Sequence, residues 1–127
     1  MMPEIDPMYR NDIKGTTDSE HVFYYLLSLH LRHPDVGLRE LVAIGINRLR
    51  HWSQEVDPEA GIGLNIVLTD GSALVGSRLG RTLWHLRRER VFTCKICGRP
   101  HVHHEAGANY RAVEIASEPI TDDYWEE

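Results

Sequence analysis

Two stretches with apolar residues at helical spacing come first, followed by a tract where apolar and polar positions alternate. Val22, Phe23, Leu26, Leu27 and Leu29 recur at near-helical intervals, the mark of a helix with one buried face. Thr17 and Glu20 stand just ahead at capping-box spacing, where each side chain would satisfy a backbone N–H near the helix start. Pro34 has no N–H with which to continue, so the pattern predicts a helix over about 18–32. Leu38, Leu41, Val42, Gly45, Leu49 and Trp52 form a second stripe, with Arg39, Glu40, Asn47, Arg48 and Arg50 largely off it. This predicts a helix over about 37–55 that stops before Pro58 and Gly61. Gly45 inside it costs about 1 kcal/mol relative to alanine, which a close helix–sheet approach would explain.

From Ile62 the period changes to two. Ile62, Leu64, Ile66 and Leu68 alternate with Gly63, Asn65, Val67 and Thr69, as in a half-buried strand. Asp70-Gly71 signals a tight hairpin of type I′, with positive φ at both central residues. The return strand is Ala73 to Arg78, and further strands are expected over 82–86, 91–93 and 110–117. Residues 1–14, with Pro3 and Pro7, read as an irregular lead-in. Two helices followed by an antiparallel meander predict an α+β fold over 1–127, a single domain with both helices packed on one sheet face.

Composition narrows the functional classes. Of 127 residues, 42% are apolar and 26% charged, which suits a globular chain and not a disordered one. Fourteen basic against 19 acidic residues leave a net charge of −5, so no broad basic face exists for nucleic acid or an anionic membrane. No apolar run approaches the ~20 residues that span a bilayer. Met1-Met2-Pro3-Glu4-Ile5-Asp6 has no basic or apolar signal region. Two cysteines exclude a disulfide-rich secreted scaffold and make the cytoplasm the expected compartment.

Both cysteines fall in one Cys/His-rich stretch over 94–104, Cys94-Lys95-Ile96-Cys97-Gly98 followed by His101, His103 and His104. Cys-x-x-Cys-Gly has the shape of a zinc knuckle, and Cys94, Cys97, His101 and His103 would complete a tetrahedral structural zinc site. The histidines follow closely for four ligands on one ion, so a plain loop with free thiols competes. A redox pair is a third reading, weakened because no helix start follows to lower a thiol pKa. His21, His30 and His33 read as surface histidines. Arg87-Arg88-Glu89-Arg90 reads as a solvated basic turn, and Trp52, Trp84 and Trp125 as packing residues.

Three segments carry a family resemblance. They are Gly15-Thr16-Thr17-Asp18-Ser19-Glu20, Leu64-Asn65-Ile66-Val67-Leu68-Thr69-Asp70-Gly71, and Ala116-Ser117-Glu118-Pro119-Ile120. In this order the chain, from about residue 10 onward, resembles the later part of a class II glutamine amidotransferase domain. That resemblance implies the N-terminal-nucleophile hydrolase fold, an α-β-β-α sandwich, and hydrolysis of glutamine to glutamate and ammonia. It implies that Asp18 holds the substrate's α-ammonium; the plainer reading is an acidic first-turn residue favourable to the helix dipole. Ser117-Glu118-Pro119 would end the sheet, since Pro119 has no N–H to donate.

The family's N-terminal cysteine and Asn-Gly oxyanion pair have no counterpart here. No cysteine precedes Cys94, and no Asn-Gly dipeptide occurs. The expectation is a domain lacking its first half: inactive alone, with no catalytic residue of its own, and binding glutamine only when completed. Such a fragment would expose apolar sheet and open strand edges, so a complementing chain or self-association is expected. The competing expectation is a small non-enzymatic zinc-stabilised binding module.

Overall fold

The computed structural model describes residues 2–59, 61–89, 97–99 and 111–127. The chain is α+β, and it divides into two compact units, residues 1–80 and 81–127.

In the first unit, α1 (Pro7–Arg10), α2 (Asp18–Arg32) and α3 (Leu38–Val56) precede the strands β1 (Ile66–Thr69) and β2 (Leu74–Ser77). Both long helices fall where their stripes place them. The lead-in, however, is not irregular: a 3₁₀ turn at Met2–Glu4 is followed by α1. Asp6 caps α1 by accepting the Met8 N–H at 3.0 Å, with Pro7 in the first turn. An Asp-Pro pair is a helix-start signal in its own right. Between these turns Ile5 is 0% exposed. It packs with Tyr25, Leu26, Leu29, Leu41 and Leu49 in the core. Buried Ser28 links the lead-in to α2, accepting the Asp6 N–H at 2.9 Å and donating to Tyr24 O at 2.7 Å.

Gly45 owes its place to a helix–helix contact, not to a close helix–sheet approach. A β-carbon there would collide with Cδ2 of Leu26 and lie 3.5 Å from Cδ1 of Leu29. Trp52 packs on the Tyr25 ring at 5.1 Å between centroids, and the Arg48 guanidinium lies 5.7 Å from the indole.

β1 and β2 pair antiparallel from Ile66 opposite Ser77 to Thr69 opposite Leu74. Ile62, Leu64, Ile66 and Leu68 all turn toward the core, as the alternation predicts. The turn is not type I′. Gly71 has φ +89°, but Asp70 has no positive φ. The Asp70 carboxylate instead accepts the Ser72 and Ala73 N–H groups at 2.8 Å each, which holds its pKa down at about 2. That local side-chain-to-backbone bonding favours an open four-residue loop over the two-residue turn.

The second unit holds β3 (Trp84–Arg88) and β4 (Ala112–Ala116), paired antiparallel with Trp84 opposite Ala116. The expected five-stranded meander is therefore two separate two-stranded ladders among the described residues; the strand expected over 91–93 lies outside them. β4 ends at Ala116, and the Ser117 carbonyl accepts the Thr82 hydroxyl at 2.7 Å. Trp125 is buried and donates its indole N–H to Thr121 Oγ1 at 3.2 Å.

Arg88 corrects the reading of 87–90 as a solvated turn. It is only 9% exposed. Its Nε and Nη2 donate to the two carboxylate oxygens of Glu114 at 2.9 and 3.2 Å, and its Nη1 to Asp123 at 2.9 Å. Strand alternation puts Arg88 on the same face as Leu86, and carboxylates from β4 and the C-terminal segment meet it there. Removing one partner from a buried pair costs ~3–5 kcal/mol, and part-exposed carboxylates reduce that. Arg88→Met should therefore destabilise the second unit by about 2 kcal/mol, read as faster hydrogen exchange along β3 and β4. Arg88→Lys, which keeps the charge but loses the fork, should fall between.

Candidate functional site

α2 begins with Thr17, whose hydroxyl accepts the Glu20 N–H at 3.4 Å. Only half of the predicted capping box forms. Glu20 does not return to the N-cap but reaches further back, accepting Lys14 N–H at 2.8 Å and Gly15 N–H at 2.7 Å. Those two backbone bonds, Lys14 first, hold the Glu20 carboxyl below the usual carboxylate range. A β-carbon at residue 15 would stand 2.8 Å from Glu20 Oε2, so the glycine there makes room for the clamp. The Gly15–Glu20 motif thus fixes how the chain enters α2, and with it the position of Asp18.

Asp18 is exposed at the first residue of α2. Its Oδ1 accepts the Ser19 N–H at 2.8 Å and the Ser19 hydroxyl at 3.4 Å. With Ser19, Val22, Phe23 and Leu26 it lines one side of a cleft of about 330 Å³, whose other side is the run Gly63 to Leu68. The sequence motif and the hairpin motif, about 45 residues apart in sequence, therefore face one cavity. Asn65 on the far wall spends its Oδ1 on the Leu79 N–H at 3.2 Å.

A second cleft of about 450 Å³ continues past Phe23, Leu26 and Leu68, which line both. Its walls are mostly apolar, from Leu27, Val36, Leu38 and Leu41, with His30, Asp35 and Asp70 as its ionisable groups. Sequence reading did not single out Asp35, nor give Asp70 any role beyond the turn. No spacing rule joins these residues, because the α2–α3 connection and the hairpin loop meet only in the fold. Among the described residues, neither cleft is lined by lysine or arginine.

The proposed zinc ligands are not brought into view together. Cys97 is exposed, whereas Cys94, His101 and His103 lie outside the described residues. Among the described residues no group of three or more His, Cys, Asp or Glu side chains is placed to hold a metal. His30 and His33 are exposed, and His21 donates Nδ1–H to the Thr17 carbonyl at 2.8 Å, a local contact at the helix start. Among the described residues no helix is long and apolar enough to cross a membrane. No family model, no curated protein and no solved structure matches the chain.

Proposed function

We propose that the cleft beside Asp18 is an amino-acid subsite that takes the α-ammonium of glutamine, as the resemblance to class II glutamine amidotransferases implies. The observation that carries the reading is the placement of Asp18: on the rim of a cavity, opposite the hairpin strand that supplies the second family-like motif. The positive end of the α2 dipole favours the ionised carboxylate. Ser19 donates only to Oδ1, and among the described residues Oδ2 remains to accept an ammonium N–H in a short charge-assisted bond.

The subsite binds but does not cleave. Amide hydrolysis by this route needs a thiolate to attack the side-chain carbonyl, and residues 1–93 hold no cysteine. The remaining Cys94 and Cys97 belong to a segment with its own spacing and are assigned no catalytic role.

Titration of the chain with glutamine, followed by amide chemical shifts, tests this. The Asp18, Ser19 and Asn65 amides should move. Asp18→Asn exchanges an ionic acceptor for a neutral one and should weaken binding by about tenfold. A glutamine analogue lacking the α-amine should bind wild type no better than glutamine binds the variant. Equal binding of glutamine to Asp18→Asn and wild type would refute the ammonium role. Ammonia release by the purified chain would refute the binding-only role.

A further inference from the structure

The open edge of β1 carries the strongest unassigned feature of the molecule. In the β1–β2 ladder, Leu64 N–H donates to Leu79 O and Asp70 N–H to Ala73 O. With Ile66 opposite Ser77 and Leu68 opposite Val75, the even-numbered residues turn their backbone groups toward β2. Hydrogen-bonded and non-bonded pairs alternate in an antiparallel ladder. Val67 and Thr69 therefore direct N–H and C=O to the opposite side, where among the described residues no strand pairs with β1.

The apolar floor beside that edge is also uncovered. The Asp18 cleft is bordered by six consecutive residues, 63–68. Both pleat faces and the backbone between them thus meet the cavity, as along a strand edge. Its floor is the α2 face with half-buried Val22 and exposed Phe23, above the buried Leu26. Phe23 is 44% exposed although Leu26, one turn on, is buried, and Val67, on the outward pleat of β1, is 48% exposed. A two-stranded sheet is marginal by itself, and a third strand on a hydrophobic face is the usual remedy.

We propose that β1 accepts an extended peptide from a partner as a third strand, antiparallel or parallel, laid over α2. Main-chain bonds to Val67 and Thr69 would supply register, and alternate side chains would drop onto Val22 and Phe23. Charge selects the occupant. Asp18 stands at one end of this surface, and Asp35 and Asp70 line the adjoining cleft at the other, with no lysine or arginine among the described residues lining either. The strand that fits is apolar at alternate positions and basic at its ends. A second copy of this chain fits poorly, because pairing β1 with β1 would bring two Asp70 side chains and two Asp18 side chains toward one sheet. The inference uses the same cleft as the glutamine reading but does not depend on it.

The probe is a short synthetic peptide of alternating valine and threonine with lysine at each end. Hydrogen exchange on the intact chain should show the Val67 and Thr69 amides slowing when the peptide is added, with the amides of Ile66 and Leu68 little changed. The same peptide with glutamate ends should bind weaker by about tenfold or more. A lysine-ended peptide N-methylated at alternate residues should not bind, which tests the edge without altering the protein. Unchanged exchange at Val67 and Thr69, equal binding of the two end-charges, or undiminished binding of the methylated peptide each overturns the proposal. So does protection of both amides that rises with protein concentration when no peptide is present, since copies would then pair. Asp18→Asn separates the two readings: it should weaken the amine-dependent glutamine contact about tenfold, while the lysine-ended peptide, losing one of three facing carboxylates, binds more weakly but at saturation still protects Val67 and Thr69. Loss of glutamine binding in wild type, with peptide protection intact, sinks only the amino-acid subsite.

Discussion

Alanine at Ile5 should destabilise the first unit by about 4 kcal/mol, near the top of the range for an isoleucine truncated in a core. Ile5 is fully enclosed, in contact with the cluster that holds Tyr25, Leu26 and Leu29. The cost of such a truncation depends on how well the site collapses into the void, and here collapse is resisted from both sides. The Ile5 carbonyl accepts Arg10 Nε at 2.9 Å, and the Glu4 carbonyl accepts Arg32 Nη1 at 3.0 Å. The Asp6 N–H is held by Ser28 at 2.9 Å. These bonds fix the backbone on either side of the void, so the void stays. Since whole domains are stable by only ~5–15 kcal/mol, the change should be plain in the slowest-exchanging α2 amides, which report global opening of the unit. A loss below about 1 kcal/mol would show that the lead-in is dispensable and that residues 7–80 form the folding unit by themselves.

That Ile5 is a core residue could not be read from its neighbours. One isoleucine between two acidic residues, with prolines nearby, has no period to follow. The two long helices were legible because their apolar stripes repeat over four or five turns and carry their own stops at Pro34 and Pro58. The β1 alternation was legible for the same reason. Its turn was not, because Asp70 has two competing uses: a positive-φ position in a tight hairpin, or a side-chain acceptor for the loop. The loop bonds to Ser72 and Ala73 prevail. Arg88 shows the limit of reading charge locally. Its run of four looks solvated, yet the carboxylates that bury it arrive from Glu114 and Asp123, 26 and 35 residues away. The site divides in the same manner. Asp18 was marked by the motif around it, and Glu20 and Gly15 prove to be the pieces that set its position. The opposing wall at residues 63–68, and the open edge of β1, exist only once the hairpin is folded against α2.

Valine at Gly45 should destabilise the first unit by about 3 kcal/mol, the upper part of the range for overpacking a filled core. Two effects oppose each other there. Glycine in a helix interior costs about 1 kcal/mol relative to alanine, so any side chain gains something in α3. Against this stands Leu26, 2% exposed and so without room to swing its Cδ2 away from a new β-carbon. For alanine the two nearly cancel, and Gly45→Ala should be neutral to mildly destabilising. Valine adds two more methyls and is a poorer helix former than alanine, so the collision decides. The damage should extend to ligand binding, because Leu26 lines both clefts, and glutamine shifts and peptide protection should weaken together. Double substitution isolates the cause. Leu26→Ala alone opens a cavity and costs ~2–5 kcal/mol, but combined with Gly45→Val the new methyls enter the space that leucine leaves. The pair should be less destabilising than the sum by at least about 1 kcal/mol, the coupling expected of side chains in direct contact. Strict additivity of the two substitutions would mean that the Leu26–Gly45 contact does not set the α2–α3 spacing, and that the cleft beside Asp18 owes its width to something else.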